Sequence, residues 1–377
     1  MEAEELDRKF DQGEDLSQHL DFSKARRIGR DAKKGIAMEF KAVKKETVIR
    51  APQENMVERR IPSEIRVDPL TGRTARICHF MALHWEKPDF EALIAGTESW
   101  CPFCPDKVLQ VTPHFPPDLI PEGRLQQDDM VIFPNIAPYD GLGAVATFGA
   151  RHYIPLTAFE PERIAAAFGF AQEFFRRVDD TGHPESVYHI INWNYMPPSG
   201  STLIHPHLQV FATSSAPNLM RQELEASRDY QSRHGSNYWA DLVAAEIKAN
   251  ERYLGRIGRT HWLIPYAPMG VAGDVLAVVE EARSTLELTG QDLLDLAGGL
   301  TKVMAEYDKM GIYSFNMNFF TGSKNDEAFR LHLLFSPRTF FSQKLGTPDI
   351  GALRNLFNES LCMAYPEEIR EMLKAGF

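Results

Sequence analysis

The chain carries one pattern twice. The run IFPNIAPYDGLGAVATFGARH (132–152) reads like WLIPYAPMGVAGDVLAVVEEA (262–282): an apolar strand, an Ala-Pro turn at Pro138 or Pro268, a Gly-rich bend and a second apolar strand. A helix signal follows each copy. In the first, Pro161 stands where the first helical turn is expected, and Ile164, Phe168, Ala171 and Phe175 recur at helical spacing. In the second, Thr289 and Asp292 have the spacing of a capping box, and Leu293, Leu296, Leu300 and Val303 form the stripe. Next comes a strand with Asn-x-Asn, Asn192 and Asn194 or Asn316 and Asn318, then a loop and a last strand with a central histidine, His207 or His332. The doubling predicts an α+β fold of two tandem halves, each an antiparallel sheet with helices packed on it. The expected division is a polar N-terminal extension over 1–60, a first half over 61–235 and a second half over 236–377.

At 377 residues, with 44% apolar and 25% charged side chains, the chain can bury a sizeable core. Its formal net charge of -11 argues against a nucleic-acid or anionic-membrane partner, which calls for a basic surface. The exception is local: nine Lys or Arg fall between Lys24 and Lys45 against only Asp31 and Glu39, which reads as a solvated or docking arm. The N-terminus lacks the apolar run of a signal peptide, and no stretch approaches the ~20 apolar residues of a membrane span, so a cytoplasmic protein is expected.

Four cysteines occur, and Cys101 and Cys104 form C-x-x-C within SWCPFCPDK. That spacing serves redox pairs and metal sites alike. Pro102, Phe103 and Pro105 do not resemble the helix start of a redox motif, which favours one tetrahedral zinc. His152 and His205, near strand ends, are available to complete it, and four protein ligands make the role structural.

LIHPHLQVF (203–211) places His205, His207 and Gln209 at every second position, a spacing that projects three polar groups from one face of a strand. With His205 on the metal, His207 is left as a nucleophile toward phosphorus, and the Gln209 amide can hydrogen-bond phosphoryl oxygens. Just upstream, Ser199, Gly200, Ser201 and Thr202 offer hydroxyls and backbone N–H groups suited to a phosphate cradle.

At these residues the sequence resembles the galactose-1-phosphate uridylyltransferase family, the transferase branch of the histidine-triad superfamily. The matching pieces are IRVDPLTGR (65–73), CPFC (101–104), FPN (133–135), RH (151–152), the loop from Asn194 to Thr202, HPHLQ (205–209) and RQELEASRDY (221–230), in family order. The resemblance implies tandem histidine-triad-like halves, one structural zinc on Cys101, Cys104, His152 and His205, and His207 as the residue that becomes nucleotidylated. It implies that Asn135, Asn194, Gly200, Thr202 and Gln209 contact nucleotide or phosphates, with Ser201 added as a candidate from the loop composition. The implied substrates are a nucleotide sugar and a sugar 1-phosphate, and the implied assembly is a homodimer.

Two departures stand out. Where the family carries R-x-K-R-P, this chain has LHWEKPDF, which keeps Lys87 as a candidate phosphate contact and puts His84 where an Arg is expected. Relatives with a second metal use a Glu and several His of the second half. Here Glu223 and His332 alone remain, so no second metal is expected. The same chemistry serves phosphorylases or hydrolases of ADP-sugars or dinucleoside polyphosphates, and a non-catalytic nucleotide-binding relative is the remaining alternative.

Overall fold

The structure, a computed structural model, describes residues 38–79, 83–138 and 140–377; most of the basic run that begins at Lys24 lies outside them. The first strands are β1 (Lys41–Arg50), whose residues are all exposed, β2 (Glu58–Val67) and β3 (Thr74–Cys78). Short helices α1 (Phe90–Ile94) and α2 (Val108–Val111) flank the Cys-x-x-C turn. The first copy of the repeat follows as β4 (Leu125–Gln127), β5 (Met130–Pro134), β6 (Leu142–Thr147), α3 (Pro161–Asp180), β7 (Tyr188–Tyr195) and β8 (His207–Thr213). Helices α4 (Asn218–His234) and α5 (Tyr238–Ala249) lead to the second copy. It comprises β9 (Tyr253–Ile257), β10 (Thr260–Leu263), β11 (Val275–Val279), α6 (Gly290–Lys309), β12 (Ser314–Phe320) and β13 (His332–Arg338). The chain closes with β14 (Phe340–Ser342), β15 (Thr347–Pro348), α7 (Ala352–Phe357), β16 (Ser360–Cys362) and α8 (Pro366–Leu373).

The two copies build one sheet rather than two. Its order is β4-β5-β6-β8-β7-β12-β13-β11-β10-β9, which reads as the same motif from either end, and every pairing in it is antiparallel. The copies meet at β7 and β12, with Asn194 opposite Asn316, Trp193 opposite Met317 and Asn192 opposite Asn318. A smaller sheet, β1-β2-β3-β16, includes one parallel pair, β3 with β16.

Alternation fixes which face is core. Ile191, Trp193, Leu208, Val210, Phe315, Met317, Leu333 and Phe335 point to one side and are essentially inaccessible. There they meet α3 and α6, which pack on each other and on the sheet. The expected stripes are the ones buried: Ile164, Phe168, Ala171 and Phe175 on α3, and Leu293, Leu296, Leu300 and Val303 on α6. Each large side chain so buried contributes about 1.5–3 kcal/mol. A Cβ at Gly299 would strike the Trp262 ring, so this glycine sets how closely α6 lies on the sheet. The opposite face stays polar around its centre and is covered beyond it by α4 and α5. Among the described residues no helix is long and apolar enough to cross a membrane.

The helix starts have the expected chemistry. Pro161 is the first residue of α3, where its missing N–H costs nothing. Thr289 and Asp292 form a reciprocal capping box at α6. Arg259 adds two contacts to Asp292, at 2.7 and 2.8 Å, and these hold the carboxyl at about 2, below its ordinary 3.8. A carboxylate whose pKa is depressed by folding adds stability above 3.8 that is lost as pH falls through 2. We expect Asp292→Ala to cost about 2 kcal/mol in urea unfolding at pH 7. The gap to the unsubstituted protein should close between pH 4 and pH 2, and a pH-independent gap would contradict this assignment.

Candidate active site and metal centre

Strand β8 begins at His207, two residues later than the spacing of LIHPHLQVF suggests. Pro206 has no N–H to give a ladder, so His205 lies in the bend before the strand. From there the alternation holds. Leu208, Val210 and Ala212 face the helices, and His207, Gln209 and Phe211 share the partly open face.

His205 belongs to a cluster with Cys101, Cys104 and His152, whose ligand atoms all lie within 4.8 Å of one another. Cys104 Sγ is 3.3 Å from His152 Nδ1 and 3.8 Å from His205 Nδ1. The far nitrogens settle both tautomers. His205 Nε2 donates to the Gly149 carbonyl at 2.8 Å. His152 Nε2 lies 2.8 Å from Thr97 Oγ1, whose own hydrogen goes to the Ile94 carbonyl at 2.7 Å, so Nε2 is again the donor. Both Nδ1 lone pairs are thereby left for the cluster, each facing the Cys104 thiol with Cys101 close by, an arrangement that could hold a metal ion with its supporting hydrogen bonds in place. Burial, ahead of neighbouring Cys101, pushes the Cys104 thiol up to about 12, and burial pushes the His205 imidazole down to about 4. Two thiolates and two neutral imidazoles suit a tetrahedral, borderline-soft cation. Thr97 and Gly149 had no signal in the sequence. Gly149 holds φ at +114°, and a Cβ there would collide with the Asp129 carboxylate.

His207 turns the other way. Its Nδ1 lies 2.8 Å from the backbone oxygen of His205, which can only accept, so Nδ1 carries the proton and Nε2 the lone pair. Burial lowers the His207 pKa against the pull of that hydrogen bond. Phe103, between the two cysteines, packs edge-on against His207, with ring centroids 5.1 Å apart, and so ties the metal loop to the strand.

The β7–β8 register, with Asn192 opposite Gln209, carries His207 to the level of Asn194. Asn194 is fixed from the second half. Arg338 engages Asp349 through two nitrogens and donates to Asn316 Oδ1 at 2.5 Å. The Asn316 amide nitrogen therefore donates, to Asn194 Oδ1 at 2.6 Å and to the Ser199 carbonyl at 2.9 Å. With its oxygen so occupied, Asn194 presents its NH2, which has no acceptor among the described residues. Asn316, Arg338 and Asp349 were not foreseen as part of this site.

The other candidates divide. Asn135 and Gln209 line one small cavity with Pro138, Asp140 and Gly143. The N–H of Gly200 already donates to the Pro197 carbonyl at 2.9 Å, and the Ser201 hydroxyl to Leu203 at 2.8 Å, whereas Thr202 is exposed. Lys87 pairs with Asp308 at the end of α6, at 2.7 Å. In the second half, laying Asn316-x-Asn318 on Asn192-x-Asn194 puts Leu334, opposite Asn318, in the place of His207. His332 corresponds to His205 instead, and like His207 it opens its strand rather than sitting at its centre. It lies 3.3 Å from Glu223 and stacks between Trp239 and Phe320.

The cluster predicts about one metal ion per purified chain by elemental analysis. Cys104→Ser should bring this near zero and lower the unfolding midpoint by at least about 5 °C. Unchanged metal content would rule out the cluster as a metal centre.

No family model matches the chain. It is 30% identical over 324 residues to an uncharacterised protein of Archaeoglobus fulgidus, covering 85% of this chain and 93% of that one. It is 33% identical over 141 residues to the galactose-1-phosphate uridylyltransferase of Haemophilus influenzae, covering 35% of this chain and 40% of that enzyme's length. Among solved structures, the ADP-glucose phosphorylase of Arabidopsis thaliana with bound ADP-glucose superposes with a TM-score of 0.62 at 16% identity, over 83% of this chain and 98% of that one. In sequence the chain is thus similar to a galactose-1-phosphate uridylyltransferase over about a third of its length, and it shares the fold of the plant ADP-glucose phosphorylase.

Proposed function

We propose that the protein transfers a nucleoside monophosphate between sugar 1-phosphates through a nucleotidyl intermediate on His207. The observation that carries this reading is the hydrogen bond from His207 Nδ1 to the His205 carbonyl, which leaves Nε2 unprotonated on the polar face of the sheet. In the first displacement Nε2 attacks the α-phosphorus of a nucleoside diphosphate sugar. The bond from phosphorus to the bridging oxygen breaks, and the sugar 1-phosphate leaves with the electron pair. In the second, a phosphate oxygen of another sugar 1-phosphate attacks the same phosphorus, and the P–N bond breaks to restore the imidazole.

The NH2 groups of Asn194 and Gln209 stand on the same face to stabilise the phosphoryl oxygens as charge shifts onto them. The exposed Thr202 hydroxyl, rather than the engaged Gly200 N–H and Ser201 hydroxyl, would serve the polyphosphate. Zinc is the metal that best fits Cys101, Cys104, His152 and His205, and with four protein ligands it supplies a closed structural anchor. The donor chain from Arg338 through Asn316 to Asn194 polarises the last amide toward the phosphate.

The chemistry is tested with UDP-glucose and ADP-glucose labelled at the α-phosphorus. An acid-labile adduct should form on the unsubstituted protein and be absent from His207→Ala, which should keep its metal. If neither nucleotide sugar labels the protein, the covalent route is wrong. Release of label to inorganic phosphate but not to sugar 1-phosphates would make the enzyme a phosphorylase. Asn316→Asp keeps the partner of Arg338 but removes the donor to Asn194. We expect labelling to slow about ten- to a hundredfold with little change in the unfolding midpoint, and an unchanged rate would take Asn316 out of the site.

A further inference from the structure

The small sheet ends in a ribbon that the sheet does not support. β3 pairs with β2 only from Ser63 to Val67, whereas β1 and β2 continue side by side to Arg50 and Glu58. Beyond Ser63 the two strands have no third, and every residue of β1 is exposed. A two-stranded ribbon in water is marginal by itself. Its outer end also presents apolar side chains to solvent: Val48 and Ile49 on β1, and Met56 and Val57 in the turn, the last two 57% and 64% exposed.

A second unpartnered face lies at the other end of the same sheet. Helix α7 buries no residue, and Leu353, Leu356 and Phe357 have the spacing of one helical face, the last two 77% and 73% exposed. The helix runs into β16, which pairs in parallel with β3 from Ala75 to Ile77, so α7 lies beyond the Thr74 end of β3, level with Val67 of β2. The ribbon turn begins at Glu58, nine residues along β2 from Val67 and about 30 Å away. Neither apolar face reaches the other within one chain. A two-fold axis brings the ribbon of each copy to the helix of the other, and both contacts form at once.

Charge favours this exchange over the pairing of like with like. Residues 41–60 carry six Lys or Arg against three Glu, in a chain of net charge -11. Arg60 holds Glu46 and Glu58, and Arg59 holds Glu54, which leaves Lys44 and Lys45 with no carboxylate among the described residues. Beside α7 an open cleft of about 1070 Å³ is lined by Phe357 and, on α4, by Glu225 and Asp229. These two acids stand one turn apart and have no cationic partner among the described residues. The arginines of the cleft, Arg73 and Arg354, are both turned to Ser360. Ribbons set edge to edge would bring lysines together, whereas a ribbon laid in the cleft brings lysines to carboxylates. We propose that two copies of the chain exchange their β1–β2 ribbons, each packing on the other's α7 face with Lys44 and Lys45 toward Glu225 and Asp229. A ribbon of about twenty residues together with the face it meets supplies the roughly 20–30 residues that a stable interface takes from each partner. The interface does not depend on the nucleotidyl chemistry.

The test is sedimentation of the full chain at about 100 µM, where a dimer is expected and a single-copy mass overturns the proposal. Met56→Asp and Phe357→Asp should each weaken association at least about tenfold with an unchanged circular dichroism spectrum. Mixed in equal amounts, the two variants keep one undamaged contact, the ribbon of one with the helix of the other, and should associate more tightly than either alone. Pairing of ribbon with ribbon, or of helix with helix, would not give that result. Lys44→Glu with Lys45→Glu should weaken the dimer, and Glu225→Lys with Asp229→Lys in the same chain should restore it. Undiminished association in either folded single variant, a mixture no tighter than its components, or failure of the charge reversal to restore the dimer would overturn the exchange. His207→Ala should associate like the unsubstituted protein, so failure of the covalent route would leave this result intact.

Discussion

The seam between β7 and β12 is the constraint on which the rest of the structure depends. Trp193 and Met317 oppose each other there, fully buried against the helices, while the four asparagines on either side of them face the opposite way. A slip of one residue would send the asparagines into the core and the tryptophan to the surface, so the apolar face fixes the register absolutely. The asparagine amides then cross-link the halves, Asn192 to Asn318 at 2.8 Å and Asn316 to Asn194 at 2.6 Å. Burial on one face thus determines which amides meet on the other.

The duplicated halves have diverged along matching strands. Where β8 presents His207, Gln209 and Phe211, β13 presents Leu334, Ser336 and Arg338 at equivalent positions. Leucine has no lone pair, so the second copy cannot offer a nucleophile at the equivalent place. Its arginine instead reaches back through Asn316 to the first copy. Under the proposed function one half holds the reacting atoms and the other orients them, a division that a single copy could not provide.

Much of this was legible in the sequence because the signals are local. Pro161 and the Thr289–Asp292 pair mark helix starts by backbone chemistry within one turn, and both stand where the pattern puts them. The Cys101–Cys104 spacing and two histidines at strand ends sufficed to name a cluster that the fold does assemble. What was not legible depends on distant partners. Thr97 and Gly149 are ordinary residues until His152 and His205 arrive beside them, and the Arg338–Asp349 pair gains meaning only across the seam. The equivalence of His332 with His207 failed because residue identity is a poorer guide than register. Level partners lie 13 positions apart from Asn194 to His207 but 16 apart from Asn318 to Leu334, and only the ladder shows which side chains match. The single ten-stranded sheet was likewise hidden, since two half-sheets and one continuous sheet have the same strand patterns.

A sheet of ten strands that does not close into a barrel has two ends, and each is a template on which other chains could polymerise. At one end β4 is three residues long, with Gln126 and Gln127 exposed. At the other, the pairing of β9 with β10 shifts register at Trp262 and Leu263, which spoils a regular row of free amides. The long exposed strand β1, at the margin of the small sheet, carries Lys41, Lys44 and Lys45, charges that disfavour stacking against a copy of itself. Doubling the unit lengthened the ladder without adding vulnerable margins, because fusion at the seam made interior strands of β7 and β12, each of which would be an edge in a single copy.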